Sequence, residues 1–272
     1  PADSVLCVSL DLLRSKDTAS IREMLLRAEH FCKIVVNATE YSDLVPFCQA
    51  LAAAISSGKH YMLRSAASIV KVLGGVSSQP LLSREDMLGT HTGAGLVIVG
   101  SHTQKSTSQL QELLKLSAFE DIPFHSELVL EGNDRFQQEI IRTRSACENA
   151  LKEGKNVVIY TGRSLITQED DTPESALLRS VRISDGLQSI VKHLKVTPAF
   201  LIAKGGITSS DIATKALCVK RAFVMGQVKP GIPVWKTDAE SLFPGIPYII
   251  FPGNVGETST LREIAEILTA DS

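Results

Sequence analysis

The chain has 272 residues, 44% hydrophobic and 21% charged, which is apolar enough for a sizeable core and long enough for one large domain or one and a half ordinary ones. Its net charge of -2, with no long basic or acidic run, argues against non-specific nucleic-acid binding. No apolar stretch approaches the roughly 18 residues that span a bilayer.

Val5–Leu13 is short, carries an acid and lacks a basic leader, so no secretion signal is expected there. The chain opens Pro1-Ala2 without a methionine, as a processed protein or a piece of a longer one would. Lys33–Ala38 reads as a short buried strand. Tyr41–Lys59 reads as a helix with Ser42 as N-cap and Gly58 as its stop. His60–Gly75 reads as a strand end running into a short helix, and Val76–Ser83, with its serines and proline, as a linker.

Beyond the linker the alternation is cleaner. Strands are expected at Gly95–Gly100, Phe124–Leu130, Asn156–Tyr160, Pro198–Ala203, Arg221–Gly226 and Pro247–Phe251. Helices are expected at Ser106–Leu116, Asp134–Glu153, Pro173–Leu194 with Thr172 as N-cap, from the glycine pair to about Cys218, and Ser259–Leu268. Strands separated by helices of ten or more residues imply parallel pairing. The expected class is α/β: an open, mostly parallel sheet with helices on both faces, plus a smaller partial α/β lobe. The expected domains are 1–83 and 84–272. Ligands of such sheets sit beyond the carboxyl ends of the strands.

The five cysteines are odd in number and far apart, with no CxxC pair, and the six histidines form no HxxxH or HExxH pattern. A disulfide scaffold, a structural zinc and a histidine-based metal site are therefore not expected, and a reducing, cytoplasmic setting is.

Three turns after strands can hold an anion. In "VGSHTQKSTSQL" (Val99–Leu110), Gly100 turns the chain out of a strand and places Ser101 and Thr103 near a helix start. Capping is the competing explanation, because Ser106 and Gln109 have capping-box spacing. In "IAKGGITSSD" (Ile202–Asp211), two glycines let a ligand approach the backbone closely, while Thr208 and Asp211 also have capping-box spacing. In "FPGNVG" (Phe251–Gly256), Asn254 suits a tight turn feeding a helix with Thr260 and Glu263 as its capping box. No GxxxxGK[ST] or GxGxxG motif is present. Arg163, in "YTGR", reads as a solvated turn residue, and Trp235 as a core residue rather than a stacking platform.

The stretch Leu201–Gln227 by itself resembles the phosphate site of a TIM barrel, which would require a closed ring of eight strands. The ordered set "GSHTQKSTSQL", "KGGITSSD", "MGQVKPGIPVW" and "FPGNVG" instead resembles the four-carbon acid sugar kinase family, in its C-terminal, nucleotide-binding domain. That resemblance covers roughly residues 89–268, with a weaker match at 35–73. It is similar to a branch also found within large fused plant proteins, beside dehydrogenase-like and aldolase-like domains.

The resemblance implies a kinase: transfer of phosphate from ATP, with Mg²⁺, to a hydroxyl of a small acid sugar. It implies ATP contact at Ser101, at Gly205, Gly206, Ile207 and Thr208, and at Gly253 and Asn254. It leaves the catalytic base unassigned and names no protein metal ligand. Partners would be the acid sugar and ATP, neighbouring domains of a longer chain, and a second copy in a homodimer, with no nucleic acid or membrane. Two departures stand out. Members often carry Asp or Glu where this chain has Ile207, and the "DDLTG"-like and "DSTLRGN"-like motifs of the sugar-binding lobe do not occur. Residues 1–83 resemble only the tail of that lobe. The alternative is a non-catalytic nucleotide-binding or structural module of a fused enzyme.

Overall fold

A computed structural model of the chain describes residues 5–163, 166–168 and 170–270. The chain forms two compact units, Pro1–Gln79 and Pro80–Ser272.

In the first unit a two-stranded parallel sheet pairs β1 (Val5–Val8) with β2 (Lys33–Val36). The helices α1 (Leu10–Arg14), α2 (Thr18–Arg27), α3 (Tyr41–Ser56) and α4 (Ala67–Leu73) accompany it. Val8, Leu13, Ile21, Leu25, Phe47 and Leu51 form the core. The cap of α3 is Glu40, not Ser42, and Asp43 accepts from the Thr39 and Glu40 amides, each at 3.0 Å. A carboxylate at N3 bonds two free N–H groups where the Ser42 hydroxyl, already inside the helix, bonds none. Gly58 follows the helix with φ 89, as a helix stop requires. The strand expected near His60 is absent, and that stretch carries no regular structure before α4.

The second unit is a seven-stranded open sheet in the order β4-β5-β3-β6-β9-β8-β7. Its strands are β3 (Leu96–Val99), β4 (Phe119–Phe124), β5 (Asn156–Thr161), β6 (Leu201–Lys204), β7 (Ala222–Lys229), β8 (Ile232–Thr237) and β9 (Pro247–Phe251). The first five positions in that order pair in parallel, and β9-β8-β7 continue antiparallel. The sheet has two edges, so the closed barrel is excluded.

Alternation along β3 explains the two layers. Leu96 and Ile98 face one apolar cluster with Phe136, Ile140, Leu187 and Ile190, from α7 (Asn133–Lys152) and α8 (Pro173–Lys192). Val97 and Val99 face another with Leu110, Leu113, Leu261 and Ile264, from α6 (Gln104–Leu113) and α10 (Thr260–Thr269). The short α5 (Arg84–Leu88) adds Met87 and Leu88 to that second layer. Trp235 packs at 6.5 Å from Tyr248, as a core residue should.

Two strands differ from the sequence reading. The strand near residue 124 lies at Phe119–Phe124, and Ser126–Leu130 is a 3₁₀ turn. Glu120, Asp121 and Pro123 disguise it, but β4 is an edge strand, where charge and proline are tolerated. β8 lies where the sequence predicts no strand. Pro230-Gly231, with Gly231 at φ 77, is a two-residue hairpin turn between Lys229 and Ile232.

Candidate functional site

The site follows from the strand order. From β3 the chain turns toward β4 through α6 on one face of the sheet. From its neighbour β6 it turns the other way, through α9 (Gly206–Asp211) on the opposite face. Connections that diverge from adjacent parallel strands open a crevice at their carboxyl ends. The two motifs "GSHT" and "KGGIT" are the two lips of that crevice, and "PGN" follows β9 on the far side of β6.

A cavity of about 270 Å³ lies there. Ser101, Gly205, Gly206, Ile207 and Thr208 all line it, together with Gly100, Thr161, Ser126 and Arg179. Gly253 and Asn254 do not line it. Gly253 stands behind Ser101, where a Cβ would come 3.9 Å from the Ser101 hydroxyl, and Asn254 is exposed.

The glycines have separable roles. A Cβ on Gly100 would meet the Thr208 hydroxyl at 2.3 Å, so this position has room for hydrogen only. Gly205 adopts φ 121 and would press on Ser101 and Thr208 at 3.1 Å. Gly206 has nothing within 4 Å of its would-be Cβ: the space beside it is open.

Hydrogen bonds lock the turns to one another. The Gly205 amide donates to the Phe251 carbonyl at 2.9 Å, tying the β6 turn to β9. Ser209 donates to the Ala203 carbonyl at 2.8 Å, and Tyr248 donates to the Ser209 carbonyl at 2.7 Å. The buried Ser106 hydroxyl lies 3.1 Å from Ser101 Oγ and 3.5 Å from the Gly253 carbonyl.

The expected capping boxes are all displaced. Thr103 caps α6, accepting from the Ser106 amide, while buried Gln109 donates to the Val255 and Glu257 carbonyls at 3.1 and 2.9 Å. Gly205, not Thr208, precedes α9, and Asp211 instead accepts from Ser184 and pairs with Lys215. At α10 the pair is Ser259 with Glu263, one residue upstream of the expected start, and Thr260 accepts from the Glu257 amide. Thr208 and Asp211 therefore have no role in capping α9, and the Thr208 side chain faces the cavity.

Sequence reasoning missed several residues around this site. Arg163 is half-buried rather than solvated. It donates to the carbonyls of Ser101 at 2.7 Å, Val99 at 3.2 Å and Thr161 at 2.6 Å, so it braces the β3 turn from β5, and burial pulls its pKa down. Arg179 is buried and pairs with Asp171 through both guanidinium nitrogens. The hydrogen bond to Arg179 holds the Asp171 carboxyl far below the usual carboxylate range. Lys204 is fully buried at the end of β6. Its charge directly before the glycine pair was the available signal.

An open α/β sheet with glycine turns at its switch point defines a nucleotide-binding domain. The chain belongs to the family described as the nucleotide-binding C-terminal domain, whose model matches residues 96–261. That is the domain to which the resemblance to four-carbon acid sugar kinases pointed. No curated protein matches. Among solved structures, one from Salmonella typhimurium LT2, provisionally described as a tRNA synthase, superposes with a TM-score of 0.63 at 16% identity, over 96% of this chain and 59% of that one. Another, a domain of unknown function from Bordetella bronchiseptica with bound citrate, described as a domain-swapped dimer, gives a TM-score of 0.48 at 16% identity over 97% and 58%. The chain thus spans about three-fifths of the length of the structures it matches. Among the described residues, no helix is long and apolar enough to cross a membrane, and no three acidic, histidine or cysteine side chains are grouped to hold a metal ion.

Proposed function

We propose that this chain carries the ATP-binding part of a kinase that phosphorylates a four-carbon, tetronate-type acid sugar. The observation that supports it is the meeting of Ser101 and Gly205–Thr208 around one cavity at the switch point. The residues suit a phosphate chain. Open backbone at Gly206, hydroxyls at Ser101, Thr161 and Thr208, and spaces too tight for a side chain at Gly100 form a polar cradle. Gly253 and Asn254, outside the cavity, would support it from the β9 side behind Ser101 in this reading. ATP, when bound, supplies the phosphoryl group. The chain's own residues bind and orient it, and Mg²⁺, if used, would be held chiefly by the nucleotide's phosphates.

The first unit, in this reading, is part of the lobe that binds the acid sugar. Phosphoryl transfer depends chiefly on positioning. This stretch of chain, without the acidic sugar-lobe motifs, is therefore expected to bind adenine nucleotide weakly and to transfer phosphate poorly, as a cytoplasmic protein and with a second copy as the expected partner. Calorimetric titration with ATP and Mg²⁺ tests the first statement. Robust turnover of a four-carbon acid sugar by this chain alone would sink the second.

A second reading, a non-catalytic module of a fused enzyme, is favoured by Ile207. This apolar side chain is 75% exposed at the cavity and offers neither charge nor hydrogen bond where kinases of the family often have an acid. No heat and no thermal shift at millimolar nucleotide would select that reading.

A further inference from the structure

Three cationic side chains surround the β3 and β9 turns, and among the described residues none of them meets a carboxylate. The Lys204 ammonium donates to the Pro252 carbonyl at 2.6 Å and the Gly253 carbonyl at 3.2 Å, 4.1 Å above the Phe251 ring. Lys105, in the first turn of α6, donates to the Asn254 carbonyl at 3.3 Å. Arg163 donates to Val99, Ser101 and Thr161, as above. Several other cations of this unit do have acids: Arg179 has Asp171, Arg142 has Glu139 at 2.6 Å, and Lys229 has Glu263 at 2.7 Å. Carbonyl oxygens satisfy the N–H groups of the three at these turns but leave their charge uncompensated.

Packing does not require a charge at Lys204. Ile202, two residues earlier on the same face of β6, is apolar, and a methionine would fill the lysine's volume. The ammonium does connect the turns. The Gly253 carbonyl that accepts from Lys204 also lies beside Ser106, and Ser106 lies beside Ser101.

We propose that Lys204 is the positioning residue for the nucleotide's phosphate chain. It fixes the Pro252–Asn254 turn against Ser101, and with Lys105 and Arg163, which like it stand behind the cavity and do not line it, it forms a cationic collar whose field favours a bound polyphosphate. This rests on the nucleotide reading above. Burial, with repulsion from Lys105 second, brings the Lys204 pKa down to about 8. Lys105 is the charged group that faces it, while β9 and its turn bring a ring and carbonyls. The collar therefore loses a charge as pH rises through about 8.

The test compares wild type, Lys204→Met and Lys105→Met by calorimetric titration with Mg-ATP and with adenosine, from pH 7 to 9.5. Loss of a charge-assisted contact predicts a drop of roughly tenfold or more in ATP affinity for Lys204→Met, with adenosine changed less than about twofold. Lys105→Met, at an exposed position, should lose a few-fold for ATP only. Wild-type ATP affinity should fall as pH passes 8, and that fall should be missing in Lys204→Met. Equal losses for ATP and adenosine would reduce Lys204 to a structural role and overturn the assignment, as would unchanged ATP binding. If Lys204→Met does not fold, a flat wild-type pH profile, or a Lys105→Met variant that binds ATP as wild type does, overturns it equally. Absence of any ATP binding by wild type would instead refute the nucleotide reading itself.

Discussion

Gly100→Ala is the most direct probe of the crevice, because the collision it creates has a single principal partner. The added methyl would stand 2.3 Å from Thr208 Oγ1, 3.2 Å from Thr208 Cγ2 and 3.1 Å from Leu187 Cδ2. Thr208 is buried, so it cannot swing away into solvent. Overpacking of this kind costs about 1–3 kcal/mol. At about 2–4 °C per kcal/mol for a body of this size, melting of the second unit should fall by roughly 2–12 °C. Thr208→Ala removes both offending atoms, and the double variant should recover most of the loss. The expected coupling is about 1–2 kcal/mol, within the range for residues in contact. Thermal melts of the four proteins in the cycle supply the numbers. Strictly additive effects would mean that the two lips of the crevice do not touch at this point, and the geometry argued for the cavity would be wrong.

Gly206→Val faces open space, so its stability should change by no more than about 0.5 kcal/mol, while calorimetry should show ATP binding lost because the side chain occupies the cradle. Lys204 makes stability depend on pH with an uncommon sign. Its folded pKa of about 8 lies below the ordinary lysine value of 10.5, so the unfolded chain holds the extra proton between those values and stability rises with pH across that window. The gain is about 3 kcal/mol at most by linkage, and denaturant titrations of Lys204→Met should show it missing. Gln109→Ala leaves the Val255 and Glu257 carbonyls without their donor and should cost about 0.5–1.5 kcal/mol in chemical denaturation. Ile207→Asp, at an exposed position, should leave the melting temperature within a degree or two. It should raise the ratio of ATP affinity with Mg²⁺ to that without, as measured by paired titrations.

The parts of this architecture that depend on local pattern were readable from the chain. Continuous apolar runs such as Val157–Ile159 and Ile249–Phe251 announce buried parallel strands, and the glycine after β3 and the pair after β6 announce the turns. Thr172-Pro173 marks the start of α8 because cap and N1 chemistry are local. What was illegible depends on position in the sheet. β4 escapes notice because edge placement licenses residues that a buried strand would exclude, and β8 because its pairing with β9 and β7 is set by a hairpin and not by an apolar run. The capping boxes moved for a related reason: Gln109 reaches across to the loop after β9 and Ser209 back to β6, contacts that spacing along one helix cannot reveal. Arg163 was misread by the same logic. Its neighbours in sequence are turn residues, but its partners are the carbonyls at the end of β3, more than 60 positions away.

On the proposed reading, nucleotide binding and phosphoryl transfer would draw on different parts of this crevice. The cradle is built from backbone and from what surrounds it: the absence of a Cβ at Gly100 and Gly205, the hydroxyl contacts of Ser101 and Ser106, and carbonyls pinned by Lys105, Arg163 and Lys204. None of these depends on the side chain at 207. Replacing an acid by isoleucine there leaves the cradle's geometry intact and even relieves it of a negative charge that would repel a phosphate without its metal. The same replacement removes a group that could help hold that metal during transfer. On the proposed reading, a chain with Ile207 should keep the weak nucleotide affinity expected of it while transferring phosphate poorly. The collar then becomes informative: with no carboxylate among the described residues to answer the three cations, a phosphate chain is the counter-charge we propose for this site.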